Sequence, residues 1–215
     1  MKEKFTFRNE TLDEFTEKLQ SSDPIPGGGG AAALCGAVGI ALSSMVCEVT
    51  KAKKDFSGDP TEYKAMICKA QSLRESLIHE IDTDAEAFYT LMEAYHMPKN
   101  TEDEKQLRAK TIQERLVTAA EAPLYTMHVI CDTIELFDRV CPMSASNVIS
   151  DIAVGVSLCR AALHGASMNV FINASLMKDE TVKAKYIKWA EDLIAKYEPV
   201  ADRVYDYVKK QVLGD

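Results

Sequence analysis

Two long segments of small, uncharged residues constrain the fold of this chain most strongly. Residues 31–47 carry no charge, and Arg160 is the one full charge between Ile152 and Met177. Both segments read as helices, yet both repeat glycine, which costs roughly 1 kcal/mol relative to alanine inside a helix. We infer that something packs very closely against each helix. Close helix–helix packing, a second subunit and a flat ligand are all compatible with the pattern.

Helix start signals recur along the chain and strand patterns do not. Capping signals stand at Thr11 and Thr101, and Asp59 precedes a proline at a first helical position. The apolar spacing predicts helices over about 11–21, 29–54, 60–95, 101–140, 148–177 and 180–213, with possible kinks at Pro123 and Pro199. We therefore predict an all-α fold, in which residues 1–215 form a single-domain bundle of about six long helices. Helices of this length in one domain favour a dimeric bundle.

Composition excludes several partners. The chain of 215 residues has a formal net charge of -8 and no marked basic patch, which argues against nucleic acid and anionic membrane surfaces. The uncharged stretch 31–47 lies at the short limit of a membrane span, roughly 17–25 residues, and is better explained as a buried helix. Six cysteines without a CxxC pair favour free core thiols over disulfides. We expect a cytoplasmic protein.

A carboxylate interrupts the apolar stripe of the third predicted helix. The stripe has gaps of three or four residues, so its members share one helix face: Ala70, Leu73, Leu77, Ile81, Asp84, Phe88, Leu91 and Tyr95. A buried carboxylate is costly unless it is paired, and burial raises its pKa toward the range useful for acid–base catalysis. Asp84 is therefore a candidate catalytic residue, with Asp82 on a neighbouring flank. Alternatively, Asp84 pairs with a buried base or a backbone donor.

The fifth predicted helix has the same kind of anomaly. Asp151, Asn169 and Asn173 share a face whose middle consists of small residues, although Asn and Asp are poor residues for a helix interior. Two asparagines one turn apart suggest recognition of an amide-like group, or alternatively a polar tie between two helices. Asp151 stands near the helix start and could simply favour its dipole. Arg160, on another face, could pair with an acid or hold an anion.

Several common sites are missing from the sequence. The chain has neither an HExxH motif nor a paired Cys/His cluster, so we expect no metal site. The glycine run of "PIPGGGG", residues 24–30, lacks the lysine of a phosphate loop and follows no strand, which argues against nucleotide binding. Because a small-residue helix follows these glycines directly, they read as exposed backbone donors at a helix start.

Four segments together resemble the cyclodeaminase domain of the formiminotransferase-cyclodeaminase family, which includes methenyltetrahydrofolate cyclohydrolases. They are "PIPGGGGAAALCGAVGIALSSMV", "LIHEIDTDAEAF", "AAEAPL" and "NVISDIAVGVSLCRAALHGASMNVFIN". The resemblance covers roughly residues 15–176 and implies an all-helical dimer with a folate site reached by the glycine loop. A tetrahydrofolate derivative, which can carry several glutamates, is the expected ligand, with no metal and no other cofactor.

The resemblance also implies which residues form the site. It assigns catalysis to Asp84 and Asp82, and substrate binding to Pro26, Gly27, Gly28, Gly29, Gly30, Asn147, Ser150, Asp151, Asn169 and Asn173. Relatives usually have serine where this chain has Gly30. The backbone donors at the helix start are candidates to receive a carboxylate of the substrate's glutamate tail.

The chemistry implied by the resemblance needs proton transfer to and from nitrogen or water. The first expectation is a cyclodeaminase, which closes 5-formiminotetrahydrofolate to 5,10-methenyltetrahydrofolate and releases ammonia. The alternative is a cyclohydrolase, which opens the methenyl compound to 10-formyltetrahydrofolate. A carboxyl group of raised pKa serves either reaction, and we assign this role to Asp84, with Asp82 or Asp151 tuning it. A second alternative is a helical folate-binding or scaffolding dimer without catalysis.

Overall fold

The computed structural model of the chain describes residues 5–214, and within this range the regular structure is entirely helical. Two short 3-10 turns, Phe7–Asn9 and Cys141–Met143, accompany six α-helices. The helices are α1 (Leu12–Leu19), α2 (Gly28–Lys51), α3 (Pro60–His96), α4 (Glu102–Val140), α5 (Ile149–Ser175) and α6 (Glu180–Leu213). The predicted all-α class and the number of helices are confirmed.

The predicted helix starts correspond to real caps. At Thr11 the hydroxyl accepts from the Glu14 N–H at 3.2 Å, while the Glu14 carboxylate accepts from the Thr11 N–H at 2.8 Å. Thr101 caps α4 in the same way, and the Asp59 carboxylate accepts from the Thr61 N–H at 2.8 Å. These side chains satisfy backbone donors that have no partner within the helix. Helices α4 and α6 continue through Pro123 and Pro199.

Helix α2 runs through the bundle and packs mainly on α3 and α5. Its glycines permit the close approach to α5. A Cβ atom on Gly39 would lie 2.7 Å from Cys159 Sγ and 2.9 Å from the Gly155 carbonyl oxygen. A Cβ atom on Gly155 would lie 2.3 Å from Cζ of Phe137. Close helix–helix packing therefore accounts for these two glycines. Of the three explanations offered for the small-residue helices, this is the one that the structure shows for Gly39 and Gly155.

The α2–α5 pair exposes several large apolar side chains. We call the surface that carries them the α2/α5 face. Its large exposed side chains are Val38 on α2 and Val154, Met168 and Ile172 on α5. Among the described residues, α2 is the one helix long and apolar enough to cross a membrane by length and composition, and more than half of its apolar stretch is buried in the protein.

The remaining polar and sulfur-containing candidates have ordinary structural surroundings. Arg160 pairs with two acids of α6, at 3.0 Å to Asp202 and in contact with Glu198, and His164 lies 3.2 Å from Glu198. Arg160 therefore ties α5 to α6, as the first of its two interpretations held. All six cysteine thiols are free, in agreement with the preference for core thiols.

Candidate active site

The start of α2 holds a carboxylate from another helix. Gly27, the N-cap residue, has no side chain to bond the free N–H groups of the first turn. Asp84 of α3 takes this place, and its carboxylate accepts a hydrogen bond from the Gly30 N–H. A Cβ atom on Gly29 would lie 2.0 Å from Asp84 Oδ1. Glycine at position 29 is therefore what allows the carboxylate to reach the helix start.

Two opposing effects act on the pKa of Asp84. Burial disfavours the charged form and raises the pKa from 3.8 to about 6, while the Gly30 N–H stabilises the charged form and lowers it. The result is a carboxylate that is mostly ionised at neutral pH and still a useful proton acceptor and donor. The sequence left open whether Asp84 pairs with a buried base or with a backbone donor, and the structure has the backbone donor. No lysine or arginine within residues 5–214 is paired with it.

Asp84 faces a cavity of about 230 Å³ at this point. Its walls come from the glycine loop and from α3, α4 and α5, and they are largely apolar. The lining residues are Pro24, Ile25, Gly27, Gly28, Asp84, Phe88, Leu91, Tyr95, Ala119, Asn169, Ile172, Asn173 and Leu176. An apolar slot with a few polar groups is typical of a small-molecule site.

The two asparagines of α5 line this cavity with their amide groups anchored. Asn169 Nδ2 donates to the Gly165 carbonyl at 3.0 Å. Asn173 Nδ2 donates to the carbonyls of Ala119 and Asn169, both at 2.8 Å. Asn173 therefore ties α5 to α4, as the structural alternative held. Because both amide nitrogens point to backbone oxygens, the amide oxygens are the groups left to accept hydrogen bonds from a ligand.

The other glycine-loop residues do not contribute equally. Gly27 and Gly28 line the cavity, and a Cβ atom on Gly28 would lie 3.6 Å from the Asn169 amide. The Cβ direction of Gly30 points instead to Ile81 and Phe15, with the nearest atom at 3.6 Å. Pro26 is buried beneath the loop. A serine at position 30 would thus face a small apolar cluster, away from the cavity.

Asp82 lies outside the cavity wall. It is 8% exposed, and its carboxylate faces the N-terminal 3-10 turn, where Arg8 Nε lies 3.3 Å from Oδ2 and the Arg8 N–H donates to Oδ1 at 3.3 Å. The two carboxylates singled out on α3 therefore have separate surroundings. Asp84 faces the cavity, whereas Asp82 holds the N-terminal turn against α3.

The remaining predicted residues cluster at the far end of α5. Asn147 and Ser150 are exposed, and Asp151 lies in the first turn of the helix. Eighteen positions separate Asp151 from Asn169, which is about 27 Å at the usual helical rise. Within one subunit, this group therefore does not meet the cavity. Ser150 instead lines a polar cleft with Ser144, Ser146 and the end of α6.

A second buried carboxyl group, Glu80, was not predicted from the sequence. It is 6% exposed, one turn before Asp84 on the same helix. Burial and the nearby Asp84 charge raise its pKa from 4.5 to about 7. The signal was present, because Glu80 follows Leu77 by three residues and precedes Asp84 by four. The predicted apolar stripe ran from Leu77 through Ile81 to Asp84 and therefore left out Glu80.

The donor set does not favour a metal ion. Within residues 5–214, no three His, Cys, Asp or Glu side chains come together in an arrangement that could hold one. The chemistry of the cavity therefore centres on one carboxylate, two amide oxygens and the backbone of a helix start.

These features define an all-helical bundle in which a carboxylate at a helix start faces a largely apolar cavity. Residues 11–192 match the family model described as formiminotransferase-cyclodeaminase. The chain belongs to this family.

Relatives of the chain are named as enzymes of two related reactions. The methenyltetrahydrofolate cyclohydrolase of Methylorubrum extorquens is 42% identical over 204 residues, which are 95% of this chain and 98% of that protein. The formimidoyltransferase-cyclodeaminase of Mus musculus is 30% identical over 81% of this chain, and the match spans 32% of the mouse protein. The crystal structure of formiminotetrahydrofolate cyclodeaminase from Thermotoga maritima has a TM-score of 0.80 at 27% identity, covering 97% of this chain and 98% of that one.

Proposed function

We propose that the protein hydrolyses 5,10-methenyltetrahydrofolate to 10-formyltetrahydrofolate. The observation that carries this choice is the 42% identity to a cyclohydrolase across 98% of that protein's length. The cyclodeaminases matched here share 27% and 30% identity with the chain. Cyclohydrolysis, which was the alternative to cyclodeamination in the sequence analysis, is therefore the reaction that we propose. We expect the reaction to take place in the cytoplasm, on folates with one or several glutamates.

The cavity suits the reacting half of such a substrate. The methenyl bridge between N5 and N10 carries a delocalised positive charge, which an ionised Asp84 attracts inside a largely apolar slot. Phe88 and Ile172 supply apolar surface for a flat ring, and the amide oxygens of Asn169 and Asn173 are acceptors for the N–H groups at its edge. With about 230 Å³, the cavity has room for the ring system, so the glutamate tail lies outside.

Asp84 can manage the protons of this reaction. Its carboxylate takes one proton from water as the water oxygen bonds to the methenyl carbon. The same proton then goes to N5 as the C–N5 bond breaks and the C=O bond forms. The second proton of the water leaves to solvent, so that methenyltetrahydrofolate cation and water give 10-formyltetrahydrofolate and one proton. General acid–base catalysis of this kind typically contributes about 10²–10⁴-fold.

The Gly30 N–H prepares Asp84 for this work in two ways. The hydrogen bond fixes the carboxylate in place before substrate binds, and it lowers a pKa that burial alone would raise further. Consequently the group is ionised at neutral pH and starts the reaction as a base. From the sequence we expected the N–H groups at the start of α2 to bind a carboxylate of the substrate's glutamate tail. In the structure, the carboxylate of Asp84 lies there instead.

Cyclodeamination is the second candidate, favoured by the TM-score of 0.80 to a formiminotetrahydrofolate cyclodeaminase. The same cavity would serve it, because N10 attacks the formimino carbon and the departing nitrogen needs a proton before it leaves as ammonia. Asp84 is placed to exchange protons in that reaction also.

One assay separates the two reactions and a non-catalytic protein. The near-ultraviolet band of methenyltetrahydrofolate is followed after the protein is mixed with either substrate. Accelerated loss of the methenyl compound supports cyclohydrolysis, and its appearance from 5-formiminotetrahydrofolate supports cyclodeamination. Asp84→Asn should abolish the effect, and Asp206→Asn, an exposed acid of α6, serves as the matched control. No activity with either substrate would refute the proposed function and favour a binding or scaffolding role.

We further propose that the protein is a homodimer built on the α2/α5 face. Four large apolar side chains on this face are exposed in the single subunit. Val154 and Met168 lie seven positions before and after Ala161. A two-fold axis near Ala161 would therefore pair equivalent apolar positions of two antiparallel α5 helices, as an isologous interface requires.

Such a dimer would also unite the two groups of predicted site residues. With an antiparallel α5 pair crossing near Ala161, the first turn of one α5 lies beside residues 168–172 of the other. Asn147, Ser150 and Asp151 of one subunit would then approach the cavity that contains Asp84 and Asn169 of its partner. On this proposal, the 27 Å separation within one subunit is bridged by symmetry.

Subunit mixing tests the shared site. Asp84→Asn and Asp151→Asn proteins are each inactive on this proposal, but a mixed dimer contains one site with neither substitution. Equal mixing after reversible dissociation should restore about a quarter of the wild-type activity, since half of the dimers are mixed and each has one intact site. An Asp151→Asn protein of full activity, or a monomer of full activity in sedimentation and kinetic assays, would contradict it.

A further inference from the structure

Glu80 lies between the cavity and a second, solvent-facing opening. That opening is a groove of about 500 Å³ between α3 and α4, on the other side of Asp84's helix turn. Glu80 lines the groove together with Thr83, Thr90, Arg115, Thr118 and Tyr125, among others, and Asp84 lines the cavity. Residues four apart on a helix are neighbours, with Cβ atoms about 5–6 Å apart. The two carboxyl groups are thus neighbours on one helix, with Asp84 in the cavity and Glu80 in the groove.

The Glu80 side chain is placed for exchange more than for stability. It is 6% exposed, and its Oε2 atom is fully buried with no hydrogen-bond partner among the described residues. The other oxygen lies 3.9 Å from His79 Nδ1, beyond hydrogen-bond range. A buried carboxyl oxygen without a hydrogen bond destabilises the folded protein. A purely structural role for Glu80 would not explain why this destabilising group is present.

The proposed reaction creates a need that this placement meets. Water brings two protons to the methenyl carbon, and N5 keeps only one of them. A substrate that fills the cavity would stand between Asp84 and the solvent at the cavity opening, so the other proton needs a second route. This surplus proton exists only if the proposed function is correct.

We propose that Glu80 is the proton-exchange partner of Asp84, and that the α3/α4 groove is the route by which the surplus proton reaches solvent. Once Asp84 has given the first proton to N5, its carboxylate takes the second proton from the hydroxyl oxygen that becomes the formyl oxygen. This second proton passes from Asp84 to the Glu80 carboxylate, directly or through one water, and then from Glu80 to water in the groove. No other bond changes, and nothing is oxidised or reduced. Glu80 touches neither substrate nor reacting atoms, so it acts through Asp84.

The charges around Glu80 are consistent with this role. From α3, His79, Asp84 and Glu86 face it or its groove, and from α4 Arg115 and Glu121 do so. The Asp84 charge and burial raise the Glu80 pKa to about 7, and the Thr83 hydroxyl opposes the rise. Because the pKa of Asp84 is raised less, to about 6, Glu80 is the stronger proton acceptor of the two and transfer from Asp84 to Glu80 is favourable.

Glu80→Gln tests the route, because glutamine has nearly the shape of a protonated glutamate and cannot pass a proton on. We expect kcat to fall about tenfold or more with KM changed less than twofold, and the solvent deuterium isotope effect on kcat to rise. Imidazole, a small buffer of suitable pKa, should restore turnover through the groove. Glu86→Gln, which removes an exposed acid of the same groove, should leave kcat and its buffer response unchanged.

The outcomes are separable from those of the proposed function. A wild-type protein inactive on both folates refutes the function. An active wild type with Glu80→Gln unchanged in kcat, or slowed without rescue by imidazole, refutes the route. Carboxyl 13C NMR titration of the wild type, which needs no activity and no variant, must also find Glu80 titrating near pH 7 and coupled to Asp84. A Glu80 that titrates near its ordinary 4.5 overturns the inference even if Glu80→Gln does not fold.

Discussion

Replacing Asp84 by asparagine should remove activity and stabilise the protein above pH 6. The carboxylate is held in a largely apolar cavity, which raises its pKa from 3.8 to about 6. At about 1.4 kcal/mol per pKa unit, this difference corresponds to about 3 kcal/mol of lost stability once the group is ionised in both folded and unfolded states. Asparagine carries no charge, and its amide oxygen can still accept from the Gly30 N–H.

The sign follows from proton binding. Between pH 3.8 and about 6, the folded protein binds more protons at Asp84 than the unfolded chain does, so stability falls as pH rises through this window. The penalty is absent well below pH 3.8 and complete above pH 6. About 2 kcal/mol of it should develop between pH 4.5 and pH 8. Relief of the charge that raises the Glu80 pKa acts in the same direction.

Urea unfolding followed by circular dichroism measures this difference. The free energy of unfolding is determined for wild type and Asp84→Asn at several pH values, and the difference between the two proteins is compared across pH. Asp206→Asn on α6 is the control and should show no such trend. A difference that stays flat between pH 4.5 and 8, or that favours wild type increasingly at high pH, would refute the reasoning that burial controls Asp84.

Three glycine substitutions test the local geometry. Gly29→Ala should reduce kcat at least a hundredfold while the far-ultraviolet circular dichroism is retained, because its Cβ would overlap the Asp84 carboxylate at 2.0 Å. Gly30→Ser should change kcat less than threefold, because the space around that Cβ begins at 3.6 Å and faces away from the cavity; a large gain or loss in the kinetic assay would contradict this placement. Gly155→Ala should lower the free energy of unfolding by about 1–3 kcal/mol in urea, since the Phe137 ring would have to move.

The fold was largely predictable because its signals are local. Caps at Thr11, Asp59 and Thr101 depend on residues within three positions, and each starts a helix in the structure. The helix ends were less accurate: α2 ends at Lys51 instead of near residue 54, since a polar, lysine-rich segment gives no sharp stop signal. Which helices pack together was not predicted, because the glycines of α2 and α5 indicated close packing without identifying the partner of either helix.

The site was predictable only in part, because burial and direction are tertiary properties. The apolar periodicity of α3 identified Asp84 as a polar residue on an apolar face, but Asp82 was predicted as a catalytic residue as well. What separates them is Arg8, 74 residues away in the sequence, which approaches Asp82 in the folded chain. Likewise, spacing along α5 placed Asp151 and Asn169 on one face without regard to the length of helix between them. A shared face predicts a shared site only over about two turns.

A single arrangement explains why the glycines, Asp84 and its raised pKa belong together. A side-chain cap at the start of α2 would satisfy the first-turn N–H groups more cheaply than a carboxylate brought from α3. Glycines leave that position open, so the donors hold a group that faces the cavity and must stay reactive. If stability alone mattered, a serine cap and an apolar residue at position 84 would be better on both helices. The raised pKa of Asp84 and the open helix start are therefore what the proposed function leads us to expect of a carboxylate that reacts in the cavity.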